Sequence, residues 1–322
     1  MRITFLGTSA GTPTKARNVS ALALQHGGPK AWYLVDCGEG TQHQLLYTRH
    51  SLLQLRAIFI THVHGDHTFG LPGVLASASM SGRTTPLPVI APLGVKAFVD
   101  AALGNTDSAL SFPVLFLDSE QPGFQWQDDA LQVTTAPLSH RVPCHAFVFT
   151  ERKLERQLDR NKLAADGVAA GPIWGDLQRG MDVTLPDGRQ LRAGDYTTID
   201  RKPRRIIVAG DNDAPELLAD ACQGAQLLVH EATYTQAVAD RVGPLPQHSS
   251  AAQVARFAQQ VQLPHLALTH FSARYQSNPA LQPHISELED EARLHYQGNL
   301  VMAKDLDTYE LTRDFQLLHT GQ

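Results

Sequence analysis

The sequence predicts an α/β protein in which layers of β-sheet are covered by helices. Three observations carry this expectation. Short runs of β-branched and apolar residues recur along the chain, several bounded by Gly, Pro or Asp. Segments with helical periodicity lie between them. The early part is strand-rich, whereas the later parts alternate strand and helix. With 43% hydrophobic and 18% charged residues, the composition is that of a globular chain and excludes disorder, collagen and coiled coil.

In chain order, strands are expected at 2–6, 20–25, 31–36, 56–61, 87–91, 131–136, 145–150, 205–209, 226–230, 265–269 and 299–303. Helical patterns fall at about 67–80, 93–103, 214–222, 249–262 and 285–296, with Ser249-Ser250 a candidate N-cap for the fourth. No short-period repeat is visible. A length of 322 residues suggests about two domains of roughly 100–200 residues each. The three cysteines (Cys37, Cys144, Cys222) are far apart and form no CxxC pair, which points to free thiols rather than disulfides or Cys-rich zinc. The apolar run at Met1–Thr8 is too brief for a signal peptide, and the longest uncharged stretches are broken by Gly and Pro. A soluble, cytoplasmic protein with no membrane segment is therefore expected.

One region reads differently. From Glu151 to about Asp200 the apolar periodicity weakens, and Gly/Pro punctuation appears at Gly171-Pro172 and Pro186-Asp187-Gly188. It opens with a mixed-charge helical stretch, Arg152–Lys162, and closes on Arg201-Lys202-Pro203-Arg204-Arg205. Residues 151–205 carry a net charge of +3 and the remainder −8, giving −5 for the chain. On charge alone the segment reads as a solvated surface insertion, and the negative total argues against a nucleic-acid partner.

Fifteen histidines need a chemical reason. The strongest signal is His62-Val63-His64-Gly65-Asp66-His67, placed directly after the strand at 56–61. His62 and His64, two apart at a strand end, project to one side. Asp66 and His67, in the following turn, can serve a neighbouring position. Imidazoles and carboxylates at this spacing suit one or two borderline divalent ions. His140, Asp211 and His270 each follow an apolar strand, where α/β proteins place their sites. Singly, each His reads more readily as a structural hydrogen-bonder than as a ligand, and Asp211 as a helix cap; jointly with the hexapeptide they make seven ligands with Asp211 free to bridge.

At this point the chain resembles the metallo-β-lactamase superfamily, and within it the tRNA 3′-processing ribonucleases. The resemblance runs over nearly the whole sequence. It includes Phe5-Leu6-Gly7-Thr8, Asp36-Cys37-Gly38-Glu39-Gly40-Thr41-Gln42, and Pro13–Asn18, which matches the family's PxKxRN loop. It also includes His230-Glu231-Ala232-Thr233 and His248-Ser249-Ser250. Two departures stand out: Asp211-Asn212 where Asp-Thr is usual, and His248-Ser249-Ser250 for His-Ser-Thr.

The resemblance implies a single αββα domain over 1–322 with an inserted flexible arm at 151–200. It implies two zinc ions, with manganese as the alternative: His62, His64 and His140 on one, Asp66, His67 and His270 on the other, Asp211 bridging. The implied reaction is metal-hydroxide attack on a phosphodiester of precursor tRNA, leaving a tRNA 3′-OH. Asp66 would orient the water, and His248, held by Glu231, would protonate the departing oxygen. Taken alone, Glu231 reads equally as a structural acid. Ser9, Lys15, Arg17, Asn18 and Arg274 would contact the RNA backbone, and the arm, with Gly171 and Pro172 near its tip, would grip tRNA across a homodimer. The competing expectations are a hydrolase of the same fold acting on a small ester, and a non-catalytic RNA-binding or metal-sensing protein.

Overall fold

Two large sheets, one of eight strands and one of seven, dominate the computed structural model. The structure describes residues 1–322 except Pro29, Lys153, Glu155, Pro279 and Gln322. The first sheet takes β1 (Arg2–Gly7), β2 (Ala21–Gln25), β3 (Trp32–Val35), β4 (Leu55–Phe59), β5 (Leu87–Ala91) and β6 (Val114–Asp118). The second takes β7 (Gln125–Gln127), β8 (Leu131–Leu138), β9 (Cys144–Glu151), β10 (Arg205–Val208), β11 (Leu227–Glu231), β12 (His265–Thr269) and β13 (Asn299–Met302). The chain then returns to the first sheet with β14 (Thr308–Leu311) and β15 (Leu317–Gly321). Strand orders are β15-β14-β1-β2-β3-β4-β5-β6 and β13-β12-β11-β10-β9-β8-β7. Strands β3 to β6 and β10 to β13 are parallel.

The period of two explains the layering. In β1, Ile3 and Phe5 face the other sheet while Leu6 faces away; in β10, Ile206 and Val208 face in and Ile207 faces out. The inter-sheet core centres on Phe59, whose ring lies 5.1–5.5 Å from those of Phe149, Phe147 and Trp126. The outer face of the first sheet is covered by α3 (Leu71–Met80) and α4 (Leu93–Asn105), which bury Val74, Leu75, Val95 and Val99. The outer face of the second is covered by α9 (Ala251–Gln260) and α10 (Ser286–Arg293). In α9 the apolar Ala251, Val254, Ala255 and Ala258 recur at helical spacing and are all buried. Ser250 caps this helix, accepting from Gln253 N at 3.1 Å, so the Ser in place of Thr keeps the N-cap. The αββα expectation holds.

Expected helices differ in detail. The pattern at 67–80 divides into α2 (Gly65–Thr68) and α3, because the chain turns at Phe69-Gly70. Residues 214–222 form a 3₁₀ turn (Pro215–Leu218) and a short helix, α7 (Ala219–Cys222). Sequence patterning missed α1 (Thr41–Leu46), α8 (Gln236–Val242) and the half-exposed strands β6, β14 and β15.

Two compact units emerge: Met1–Thr150 with Arg204–Gln322, and Glu151–Pro203. The mixed-charge stretch from Arg152 is not helical up to its last residues: α5 spans only Arg160–Ala165, and Lys153 and Glu155 lie outside the described residues. The insertion has its own core of Leu163, Val168, Leu177, Leu185, Leu191, Ala193 and Tyr196. Its apolar residues sit singly on short elements, which is why no periodicity announced them. Gly171 and Pro172 are exposed and open α6 (Pro172–Gln178), with Pro at the first turn where no N–H is needed. Arg201 clamps Glu151 with two hydrogen bonds, 2.6 and 2.9 Å, joining the ends of the unit.

Candidate metal centre

All the expected ligands converge at one edge of the larger unit, at or just beyond strand ends. His62 follows β4, His140 follows β8, Asp211 follows β10 and His270 follows β12. His62 Nε2, His64 Nδ1 and His140 Nε2 lie 3.0–3.1 Å apart along the series, and Asp211 Oδ2 is 3.7 Å from both His62 and His140. His67 Nε2 and His270 Nε2 are 3.2 Å apart, with Asp66 Oδ2 at 3.6 and 3.3 Å and Asp211 Oδ1 at 3.4 and 3.3 Å. A tetrahedron with ligand bonds of about 2.0–2.1 Å has edges of about 3.4 Å. Both sets have that size, and the two oxygens of Asp211 belong to different sets. The donors fit a pair of divalent ions.

Protonation and anchoring support the fit. Burial, reinforced by the neighbouring His67, holds His62 neutral, and burial likewise lowers His64 and His140. Asp66 and Asp211 stay ionised: burial opposes the charge, but His67 and His270 outweigh it. Burial also opposes charge on His67, yet Asp211, Asp36 and Asp66 push that ring well above its ordinary value. Three carboxylates around one imidazole make a field that favours a cation.

The far nitrogens are tied down. His67 Nδ1 donates to Asp36 Oδ2 at 2.7 Å, His140 Nδ1 to the Gln247 carbonyl at 3.0 Å, and His270 Nδ1 faces Thr233 Oγ1 at 3.1 Å. Thr61 Oγ1 donates to Asp36 and accepts from His62 Nδ1 at 3.0 Å. Such partners fix the tautomer and ring orientation of a ligand histidine. Asp36, Gln247 and His270 all hold left-handed backbone (φ 56°, 53° and 56°), a strain of about 1–3 kcal/mol each that marks a site built for placement. Gly210, just before Asp211, admits no side chain: a Cβ would lie 2.6 Å from Cys144 Sγ and 2.7 Å from Thr61 Cβ.

Beside the donors, Glu231 is buried and its Oε1 accepts from His248 Nδ1 at 3.0 Å, Ser249 N at 3.1 Å and Asn212 N at 3.2 Å. Its Oε2 accepts from Thr233 N at 3.1 Å and Thr233 Oγ1 at 2.5 Å. Burial would raise its pKa, but the charge and hydrogen bond of His248 hold it down. Burial pulls against charge on His248 too; Glu231, Asp211 and Asp66 prevail and push it up to about 9. Asn212 sits in this network without strain. Its Nδ2 meets His230 Nε2 at 3.1 Å, and its Oδ1 accepts from Ser139 N and Ala214 N.

The loop at 8–19 corrects one expectation. Arg17 is buried rather than turned to solvent: Nη1 donates to Thr8 Oγ1 at 2.8 Å and to the Ala303 carbonyl at 2.9 Å, and its guanidinium lies 4.9 Å from the Phe271 ring centre. Asp305 completes a latch, accepting from Thr8 Oγ1 and Asn18 N (both 2.6 Å) and Gln44 Nε2 (2.9 Å). Asn18 is half-buried inside the turn, and Ser9 Oγ donates to Thr12 O. Lys15 is the exposed basic residue of the loop. Gly11 N donates to Asp66 Oδ2 at 2.7 Å, so the loop also fixes a candidate ligand. Arg274 is exposed and lies 5.0 Å over the Tyr234 ring, which itself sits 6.0 Å from His248. Tyr234 and Asp305 carry no motif of their own, and only contiguity with His230–Thr233 could have flagged Tyr234; Asp36 opens the Asp36–Gln42 motif, which does not say what that carboxylate braces.

A family model described as "Anti-Pycsar protein Apyc1" matches residues 1–97. Over 98% of both chains the sequence is 67% identical to ribonuclease Z of Marinobacter nauticus. It is 56% identical to ribonuclease Z of Pseudomonas putida, again over 98% of both. Among solved structures, human tRNase Z, short form, matches 96% of this chain and 99% of its own with a TM-score of 0.63 at 25% identity.

Proposed function

The chain belongs to the ribonuclease Z family, and from that premise we propose that it holds two zinc ions in the donor sets sharing Asp211 and uses Glu231 and His248 to free the 3′ trailer of precursor tRNA. It is a tRNA 3′-processing endoribonuclease with a divalent-metal cluster of His and Asp. The observation that carries the reading of the site is Asp211, each of whose oxygens faces a separate set of three further donors. His62, His64 and His140 would hold one ion; Asp66, His67 and His270 the other. Ions bound there supply Lewis acidity, neutralising phosphoryl charge and acidifying water.

The remaining chemistry falls to the side chains. Asp66, ionised and fixed by Gly11 N–H, orients the attacking water. Glu231 holds the His248 ring by Nδ1, leaving Nε2 to deliver a proton to the departing 3′ oxygen. The products are a tRNA ending in 3′-OH and a trailer with a 5′-phosphate. Lys15 and Arg274, both exposed, contact the RNA backbone, whereas Arg17 and Asn18 shape the loop that presents Lys15. The Glu151–Pro203 unit, with Gly171 and Pro172 exposed, acts as the tRNA-gripping arm of a homodimer. Among the described residues no helix is long and apolar enough to cross a membrane, and we place the enzyme in the cytoplasm with its substrate.

Incubation with a 3′-extended precursor tRNA tests this reading. Wild type should release the trailer, chelator should stop it, and Asp66→Ala and His248→Ala should be inactive or severely slowed. Turnover of a small ester without cleavage of the precursor would contradict it.

A further inference from the structure

Phe69 lies two residues beyond the His62–His67 hexapeptide, yet it belongs neither to the donor sets nor to the core: 59% of its surface is exposed. It is nevertheless held in place. The ring covers Gly65, where a Cβ would lie 2.2 Å from Phe69 Cε2, and it packs 5.9 Å from the Phe98 ring. Packed on one side by Gly65 and Phe98, the ring keeps much of its surface exposed to solvent at the mouth of the site. It borders a cavity of about 310 Å³ that is also lined by His64, Asp66, His248, His270 and Arg141. Arg141 is exposed and has no hydrogen-bond or ion-pair partner among the described residues. A flat apolar face and an uncommitted guanidinium in one cavity match the two parts of a nucleotide, its base and its phosphate.

We propose that Phe69 and Arg141 form a subsite for the unpaired nucleotide flanking the scissile phosphodiester, its base stacked on Phe69 and its backbone phosphate paired with Arg141. The subsite rests on the reading of the chain as a precursor-tRNA endonuclease. Stacking tolerates any base, since every base has a π-face. The identity of the base there is therefore read loosely.

The test is binding of a 3′-extended precursor tRNA in chelator, where no turnover occurs, together with versions abasic at the nucleotide on either side of the cleavage junction. Phe69→Ala should weaken binding of the intact RNA about tenfold or more. Phe69→Tyr should bind as wild type does. Phe69→Leu keeps the apolar bulk for folding and should behave as Phe69→Ala does. One of the two abasic RNAs should bind wild type as weakly as the intact RNA binds Phe69→Ala, and should no longer distinguish the two proteins. Arg141→Ala should weaken binding and flatten its dependence on salt. An equal loss for Phe69→Ala on the intact and both abasic RNAs, or no loss, would overturn the subsite. Absence of cleavage once metal is restored would contradict the endonuclease reading alone, because the stacking pattern is read without metal.

Discussion

Glu231 is buried among five hydrogen-bond donors, and its charge acts mainly on one ring. With His248 pushed up to about 9, the ring is protonated at neutral pH and loses its proton as pH rises through that value. The kcat–pH profile should therefore fall on its alkaline side. Glu231→Gln removes the charge that raises His248, so that limb should move to lower pH. His248→Ala should cost about 10²–10⁴ in kcat at pH 7. An unchanged alkaline limb in Glu231→Gln would break the link between the two residues. The proposed ligands were legible in the sequence because four of them occupy one hexapeptide and the rest close strands. Their supports were not. Asp36 braces both His67 and Thr61 from another strand end, and Arg17 looked like a solvent-facing base because its anchors Asp305 and Ala303 lie far along the chain.

Among the elements, the loop at 8–19 links the metal edge to the C-terminal segment through Asp305. Burial raises the pKa of this carboxyl, while hydrogen bonds from Asn18 and Thr8 and the nearby Arg17 oppose that rise. Asp305→Ala leaves Arg17 without its counter-charge and Asn18 N without an acceptor. It should lower unfolding stability by about 1–3 kcal/mol in urea titration and raise KM for precursor tRNA more than it lowers kcat. A loss of stability with no change in KM would confine the latch to folding. Strands were legible wherever both faces are buried, as in β4 and β10. Those left unread, such as β6 with alternate residues exposed, lie at or near a sheet edge and lack a dense apolar run. The insertion was located at 151–200, but its own core escaped for the same reason, since its buried residues are scattered over elements of two to seven residues.

For the whole molecule, the net charge of −5 misleads because it sums a basic insertion and an acidic remainder. Thr150 and Arg205 are in register neighbours across β9 and β10, so a short Gly-Ser linker can replace 152–202. The larger unit has three cores of its own and should keep its urea midpoint after this deletion. Precursor tRNA should then bind about tenfold or more weakly, with a shallower dependence on salt. Undiminished binding would mean that the insertion does not grip RNA. The claim on which all of this depends is that seven side chains make two metal sites joined by one carboxylate. Metal content after equilibrium dialysis against zinc measures it most directly. Two ions per chain are expected, with one retained when His67→Ala removes a ligand from the second set. A single ion in the wild-type protein, or none, would contradict the account.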